Sequence, residues 1–85
     1  MKLNKPPILV VDDEPNMRET VRELLMDEGY PVDLAESAEQ SIEMLSEAGN
    51  KYLLMITDAR LGGMSGYDLL KRTANDWPEM PVIFP

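Results

Sequence analysis

The 85-residue chain contains no cysteine and no histidine. Without thiols there is no disulfide, no thiol nucleophile and no thiolate metal site. Without imidazoles there is no Ser-His-Asp triad, no imidazole-bound zinc and no phosphohistidine carried by this chain. Asp, Glu, Ser, Thr, Tyr and Lys remain for chemistry. Long apolar runs are also missing. The longest are four and five residues, far below the roughly 20 that span a bilayer. The start, Met1-Lys2-Leu3-Asn4-Lys5-Pro6-Pro7, leads into no apolar stretch of signal-peptide length. No membrane partner and a cytoplasmic location are the expectations. Positive charge is scarce: 8 basic residues face 16 acidic ones, a net of -8. That argues against direct nucleic-acid binding by this segment and favours cations and basic protein surfaces. Solubility is the plainer use of such a surface.

What is present fits one small domain spanning residues 1–85. A hydrophobic content of 44% with 28% charge is that of a globular chain. A chain of this size buries only roughly 60–65% of the surface its unfolded form exposes, so its stability margin is thin.

Ile8-Leu9-Val10-Val11 is a continuous apolar run, as expected of a parallel strand covered on both faces. Asp13, Glu14 and Pro15 open a helix whose apolar face is Met17, Val21, Leu24 and Leu25, with Arg18, Glu19, Arg22 and Glu23 opposite. Gly29 suits the left-handed residue that ends it. Pro31 to Leu34 is a second strand. Ser37 and Gln40 form a capping box ahead of a helix that buries Ala38, Ile42, Leu45 and Ala48 and ends at Gly49. Tyr52 to Thr57 is a third strand, and a glycine-containing loop, residues 58–66, follows. A third helix runs from about Ser65 to Ala74, with Leu69, Leu70, Thr73 and Ala74 toward the core. Trp77-Pro78-Glu79-Met80-Pro81 leads to a fourth strand, Val82 to Phe84. The order β-α-β-α-β-α-β predicts an α/β fold, a doubly wound parallel sheet with right-handed crossovers.

In open sheets of this class, ligands bind beyond the carboxyl ends of the strands, where strand order reverses. The first strand ends in Asp12-Asp13 and the third in Asp58. If these strands are neighbours, three carboxylates meet at one rim. Asp13 alone could simply cap the first helix, and Asp58 alone could be a turn residue. As a set they invite a divalent cation. Magnesium fits, because it prefers oxygen ligands and retains positions for water or phosphate oxygens. Asp58 would then be the nucleophile toward phosphorus, giving an aspartyl phosphate.

Val10-Val11-Asp12-Asp13-Glu14-Pro15, together with Thr57-Asp58-Ala59-Arg60-Leu61-Gly62-Gly63-Met64-Ser65-Gly66-Tyr67-Asp68-Leu69-Leu70, resembles the receiver domain of two-component response regulators. The resemblance runs in register over almost the whole chain. It implies a flavodoxin-like sheet with strand order 2-1-3-4. It implies that Asp58 is the phosphoacceptor and that Asp13 ligates Mg2+, with Asp12 helping directly or through water. It also implies that the backbone carbonyl of Arg60 is a further ligand, while the Arg60 side chain either tunes phosphate lifetime or is a solvated loop residue. The implied partner is a sensor histidine kinase, whose phosphohistidine donates the phosphoryl group.

Two departures accompany the resemblance. Gly62 stands where the family usually has proline, which is expected to loosen the loop. The chain also stops early, so the fifth strand, the switch hydroxyl and the lysine of the family are expected to be absent. Neither Lys51 nor Lys71 can take the lysine's role. The fourth strand then becomes an edge, with Pro85 weakening its pairing. This predicts self-association, as a homodimer or by exchange of elements. An enzyme is not expected: aspartate-nucleophile phosphohydrolases need a second acid where this chain has Arg60. A truncated receiver that binds metal or partner without switching is the alternative reading.

Overall fold

A computed structural model describes residues 5–48 and 51–84. The elements, in chain order, are β1 (Ile8–Val11), α1 (Pro15–Asp27), β2 (Val32–Ala35), α2 (Ala38–Ala48), β3 (Leu54–Thr57), α3 (Gly66–Asp76) and β4 (Val82–Ile83). The strands form one parallel sheet in the order β2-β1-β3-β4, as the resemblance implied. Within the described residues β2 and β4 are the edges. The observed strands are short: β2 starts at Val32 rather than Pro31, β3 at Leu54 rather than Tyr52, and β4 ends at Ile83. Pro31 lacks an N–H and joins the ladder only as an acceptor, from Ile8 N at 2.9 Å. The expected roles of Gly49, of the Ala48 side chain and of Pro85 lie outside the described residues.

β1 is the centre of the molecule, and all four of its residues are buried. Leu9 and Val11 belong to the main core with Ala35, Ala38, Leu45, Tyr52, Met55, Leu61 and Leu69. Burying a leucine or methionine of this kind contributes about 1.5–3 kcal/mol. In α2, the Ser37 Oγ accepts from Gln40 N at 3.0 Å, as a capping box requires. The reciprocal bond is displaced by one residue: Gln40 Oε1 accepts from Glu36 N at 2.6 Å. Gly29 closes α1 with φ +91°.

The buried face of α1 differs from the expected one. Val21 and Leu25 are half-buried beside Arg18 and Arg22, whereas Met17 and Leu24 are 52% and 62% exposed. The helix carries apolar residues around more than one side, and its half-buried stripe is 18-21-22-25. Arg22 is engaged along its own helix, with Glu19 at 2.7 Å. In α3, Leu69 and Thr73 are buried and Leu70 is half-buried, but Ala74 is exposed. The Thr73 hydroxyl donates to Leu70 O at 3.1 Å, so its burial leaves no polar atom unpaired.

At the amino-terminal end of the sheet, buried Tyr52 donates its hydroxyl to Asp33 Oδ2 at 2.7 Å. Lys51 Nζ lies 3.3 Å from the same oxygen. Burial, then the Asp33 acceptor and its charge, push the Tyr52 phenol well above its ordinary 10.0. In the unfolded chain that proton is released near pH 10. The folded chain keeps it, so the unfolded state binds fewer protons and stability falls as pH rises above that point. The thermal midpoint of wild type is expected to decline more steeply above about pH 10 than that of Tyr52→Phe, which has no phenol to ionise. Parallel profiles for the two proteins across that window would show that the buried contact is not what titrates.

Candidate functional site

Val11 pairs with Thr57 in the β1–β3 ladder, so Asp12 and Asp58 leave two adjacent strands side by side. The ladder runs on past the strand ends: Asp12 N donates to Ala35 O and Asp58 N to Val11 O, each at 3.2 Å. One carboxylate oxygen from each of Asp12, Asp13 and Asp58 lies within 4.8 Å of the others. Asp12 is buried, Asp58 half-buried and Asp13 exposed. The sequence-predicted acids are therefore brought together at the carboxyl end of the central strands.

Backbone amides orient all three. Asp12 Oδ1 accepts from Glu14 N at 3.0 Å, Asp58 Oδ1 from Arg60 N at 3.1 Å, and Asp13 Oδ2 from Gly62 N at 3.1 Å. The helix-capping role that Asp13 could have filled belongs instead to Glu14, whose Oε2 accepts from Met17 N at 2.7 Å. Asp13 has no local structural duty of that kind. The Arg60 side chain is exposed, two residues beyond Asp58.

The electrostatics are those of a site prepared for a cation. Two unit charges at such a separation repel by about 1 kcal/mol even in a water-like dielectric, and by more near an apolar floor. A cavity of about 240 Å³ lined by Val10, Val11, Asp12, Met17, Val21, Ile56 and Asp58 supplies that floor. Among the described residues, the ion pairs are Arg22–Glu19, Lys51–Asp33 and Arg72–Asp76, and none reaches the cluster. The donor set fits magnesium. Adjacent ligands of an octahedral ion at 2.0–2.1 Å stand about 3 Å apart and opposite ones about 4.2 Å. Oxygens already within 4.8 Å need only small side-chain rotations to reach that spacing.

Four residues around the site make contacts that the sequence pattern did not assign to them. Arg18, placed on the solvent face of α1 by periodicity, instead donates Nη1 to Asp12 O at 2.7 Å. Gly62 was expected to slacken the loop. Its N–H holds Asp13, a donor that proline would lack. Gly66 is buried at the start of α3, where a Cβ would overlap the Asp58 carbonyl oxygen and stand 2.7 Å from Ala59 Cα. Glu39, in the first turn of α2, accepts from Met64 N at 3.3 Å. The glycine run hinted at close approach. Nothing in the pattern marked Arg18 or Glu39.

Comparison with known proteins gives a consistent picture. The family profile of the response regulator receiver domain matches residues 8–85. The transcriptional regulatory protein DltR of Streptococcus agalactiae is 38% identical over 77 residues, covering 91% of this chain and 34% of DltR. The chain thus spans about a third of that relative. A receiver domain protein from Clostridium thermocellum superposes with a TM-score of 0.90 at 31% identity, covering 94% of this chain and 64% of that one. TrrA of Thermotoga maritima, solved in complex with Mg(2+)-BeF, gives a TM-score of 0.87 at 38% identity, covering 94% of this chain and 68% of TrrA. TrrA has also been solved in complex with the histidine kinase ThkA.

Proposed function

The chain belongs to the response regulator receiver domain family, and on that premise we propose that it accepts a phosphoryl group on Asp58 from the phosphohistidine of a sensor kinase. One observation carries the reading: the ligand oxygens of Asp12, Asp13 and Asp58 converge within 4.8 Å, and no basic side chain among the described residues forms an ion pair with them. Asp12, Asp13, Asp58 and the Arg60 backbone carbonyl would hold Mg2+. When bound, the ion offsets the negative charge of the acids and of the transferring phosphoryl oxygens.

A carboxylate oxygen of Asp58 attacks phosphorus in line with the leaving nitrogen. The P–O bond forms as the P–N bond breaks, and its electron pair leaves with the imidazole, which takes a proton from solvent. The Arg60 amide steadies Asp58 by donating to Oδ1. The Asp12 and Asp13 carboxylates hold the metal side of the site. The Arg60 side chain, exposed two residues beyond Asp58, would tune the lifetime of the acyl phosphate, the alternative being a solvated loop residue. A donor phosphohistidine charged from ATP calls for a cytoplasmic setting. Regulation of transcription through a further domain is the function that relatives such as DltR suggest for the whole protein.

Incubation with acetyl phosphate and magnesium is expected to add the mass of one phosphoryl group, and EDTA to prevent it. Magnesium binding with no mass gain would overturn the phosphoacceptor reading and leave a metal- or partner-binding module. Lys51 supports that second reading, because it is engaged with Asp33 at the opposite end of the sheet and contributes nothing to the acid rim.

A further inference from the structure

We infer that Glu39 is a positioning residue for the acid rim: from α2 it holds the loop after β3 in the register that keeps the Gly62 amide on Asp13. The inference builds on the reading that this rim binds magnesium.

The loop meets its surroundings along Leu61 to Met64. Leu61 is buried in the core. The Gly62 N–H donates to Asp13 Oδ2 at 3.1 Å. Gly63 turns the chain with φ +78°. The Met64 N–H then donates to Glu39 Oε2 at 3.3 Å. Only Gly63 separates the two donors, so movement of Met64 is transmitted to Gly62. The Glu39 carboxylate also packs against Gly63: a Cβ there would lie 3.2 Å from Oε2 and 3.7 Å from Oε1. The turn that carries Glu39 is held by the cap of its helix, where Ser37 Oγ accepts from Gln40 N and Gln40 Oε1 accepts from Glu36 N. A contact from α2 thus reaches an acid after β1 through the loop after β3.

A plainer role competes with this one. An acid in the first turn of a helix stabilises it through the helix dipole. That role needs the charge of Glu39, whereas the loop contact needs only an acceptor oxygen. Glutamine separates them.

The test compares wild type, Glu39→Ala and Glu39→Gln in the full chain. In metal-free protein, exchange of the Gly62 amide with deuterated solvent is followed by NMR. Magnesium affinity is then measured by titration. In Glu39→Ala, Gly62 is expected to exchange several-fold faster and magnesium affinity to fall by up to about 10-fold, the effect of losing a group that orients a metal ligand. Glu39→Gln is expected to restore both, while its thermal midpoint in EDTA falls below that of wild type, though less than that of the alanine variant. Wild-type exchange in Glu39→Ala, or glutamine behaving like alanine in exchange and affinity, would overturn the inference. A wild type that binds no magnesium would end the metal reading, and the exchange data would still decide what Glu39 does.

Discussion

Asp58→Asn is expected to take up no phosphoryl group under conditions that fully modify wild type. Asparagine keeps an oxygen that can accept from Arg60 N, the contact Asp58 makes at 3.1 Å, so the loop should hold its shape. What is lost is the anionic nucleophile. The same variant should change stability in opposite directions with and without metal. In EDTA, removal of one of three crowded charges relieves repulsion of about 1 kcal/mol for each pair. Asp58 belongs to two of the pairs, so about 2 kcal/mol is relieved, which for a domain of this size raises the thermal midpoint by roughly 8–16 °C. In excess magnesium, wild type gains stability by binding the ion while the variant, short of one ligand charge, gains less. The order of midpoints should therefore narrow or reverse. A surviving mass gain would move the acceptor to another residue, which peptide mapping would locate.

Gly66→Ala is expected to cost about 3 kcal/mol, the upper range for forcing a methyl into a filled space. Gly66 has ordinary helical geometry, so the difficulty is not its backbone angles. A Cβ would meet the Asp58 carbonyl oxygen and the Ala59 backbone, which are not flexible side-chain ends. Against a stability of about 5–10 kcal/mol for a small domain, the loss is large. Relief can come only by moving α3 from the strand end, which shifts Asp58 as well. Gly62→Ala is the contrasting case, because its Cβ would find only Asp13 Oδ2 at 3.7 Å, an ordinary contact. Denaturant midpoints should fall sharply for the first variant and little for the second. Equal midpoints would show that the loop can retreat without cost.

The parallel strands and the acids that end them could be read from the chain because both follow from short, strong signals, whereas the strand order that brings Asp12, Asp13 and Asp58 together was implied only by the resemblance to receiver domains. Unbroken apolar runs mark buried parallel strands, and acids directly after them inherit the strand positions. The faces of the helices were harder. Met17 and Leu24 are as apolar as Val21 and Leu25, and only the direction from which the sheet approaches decides which pair is covered. Arg18 shows the same limit from the other side: a long cationic side chain reads as solvent-facing, yet it is half-buried and its guanidinium ends on Asp12 O. Contacts such as Gly62 to Asp13 and Met64 to Glu39 are made by backbone amides. Every residue except proline has one, so no side-chain pattern announces them. Gly66 lies between these cases, since a glycine signals close approach without naming the neighbour.

The pairing of Val11 with Thr57 has a consequence for how such a domain tolerates change in length. The separation of Asp12 from Asp58 is set across one rung of hydrogen bonds, not along the intervening polypeptide. Extra residues in the turn between α1 and β2, where Glu28 and Gly29 are exposed, would extend a surface excursion and leave the rung untouched. A single residue gained or lost within β1 or β3 would displace one acid by about 3.3 Å and turn it to the other side of the sheet. The chemistry is thus indifferent to the outline of the molecule and intolerant of a slip at its middle.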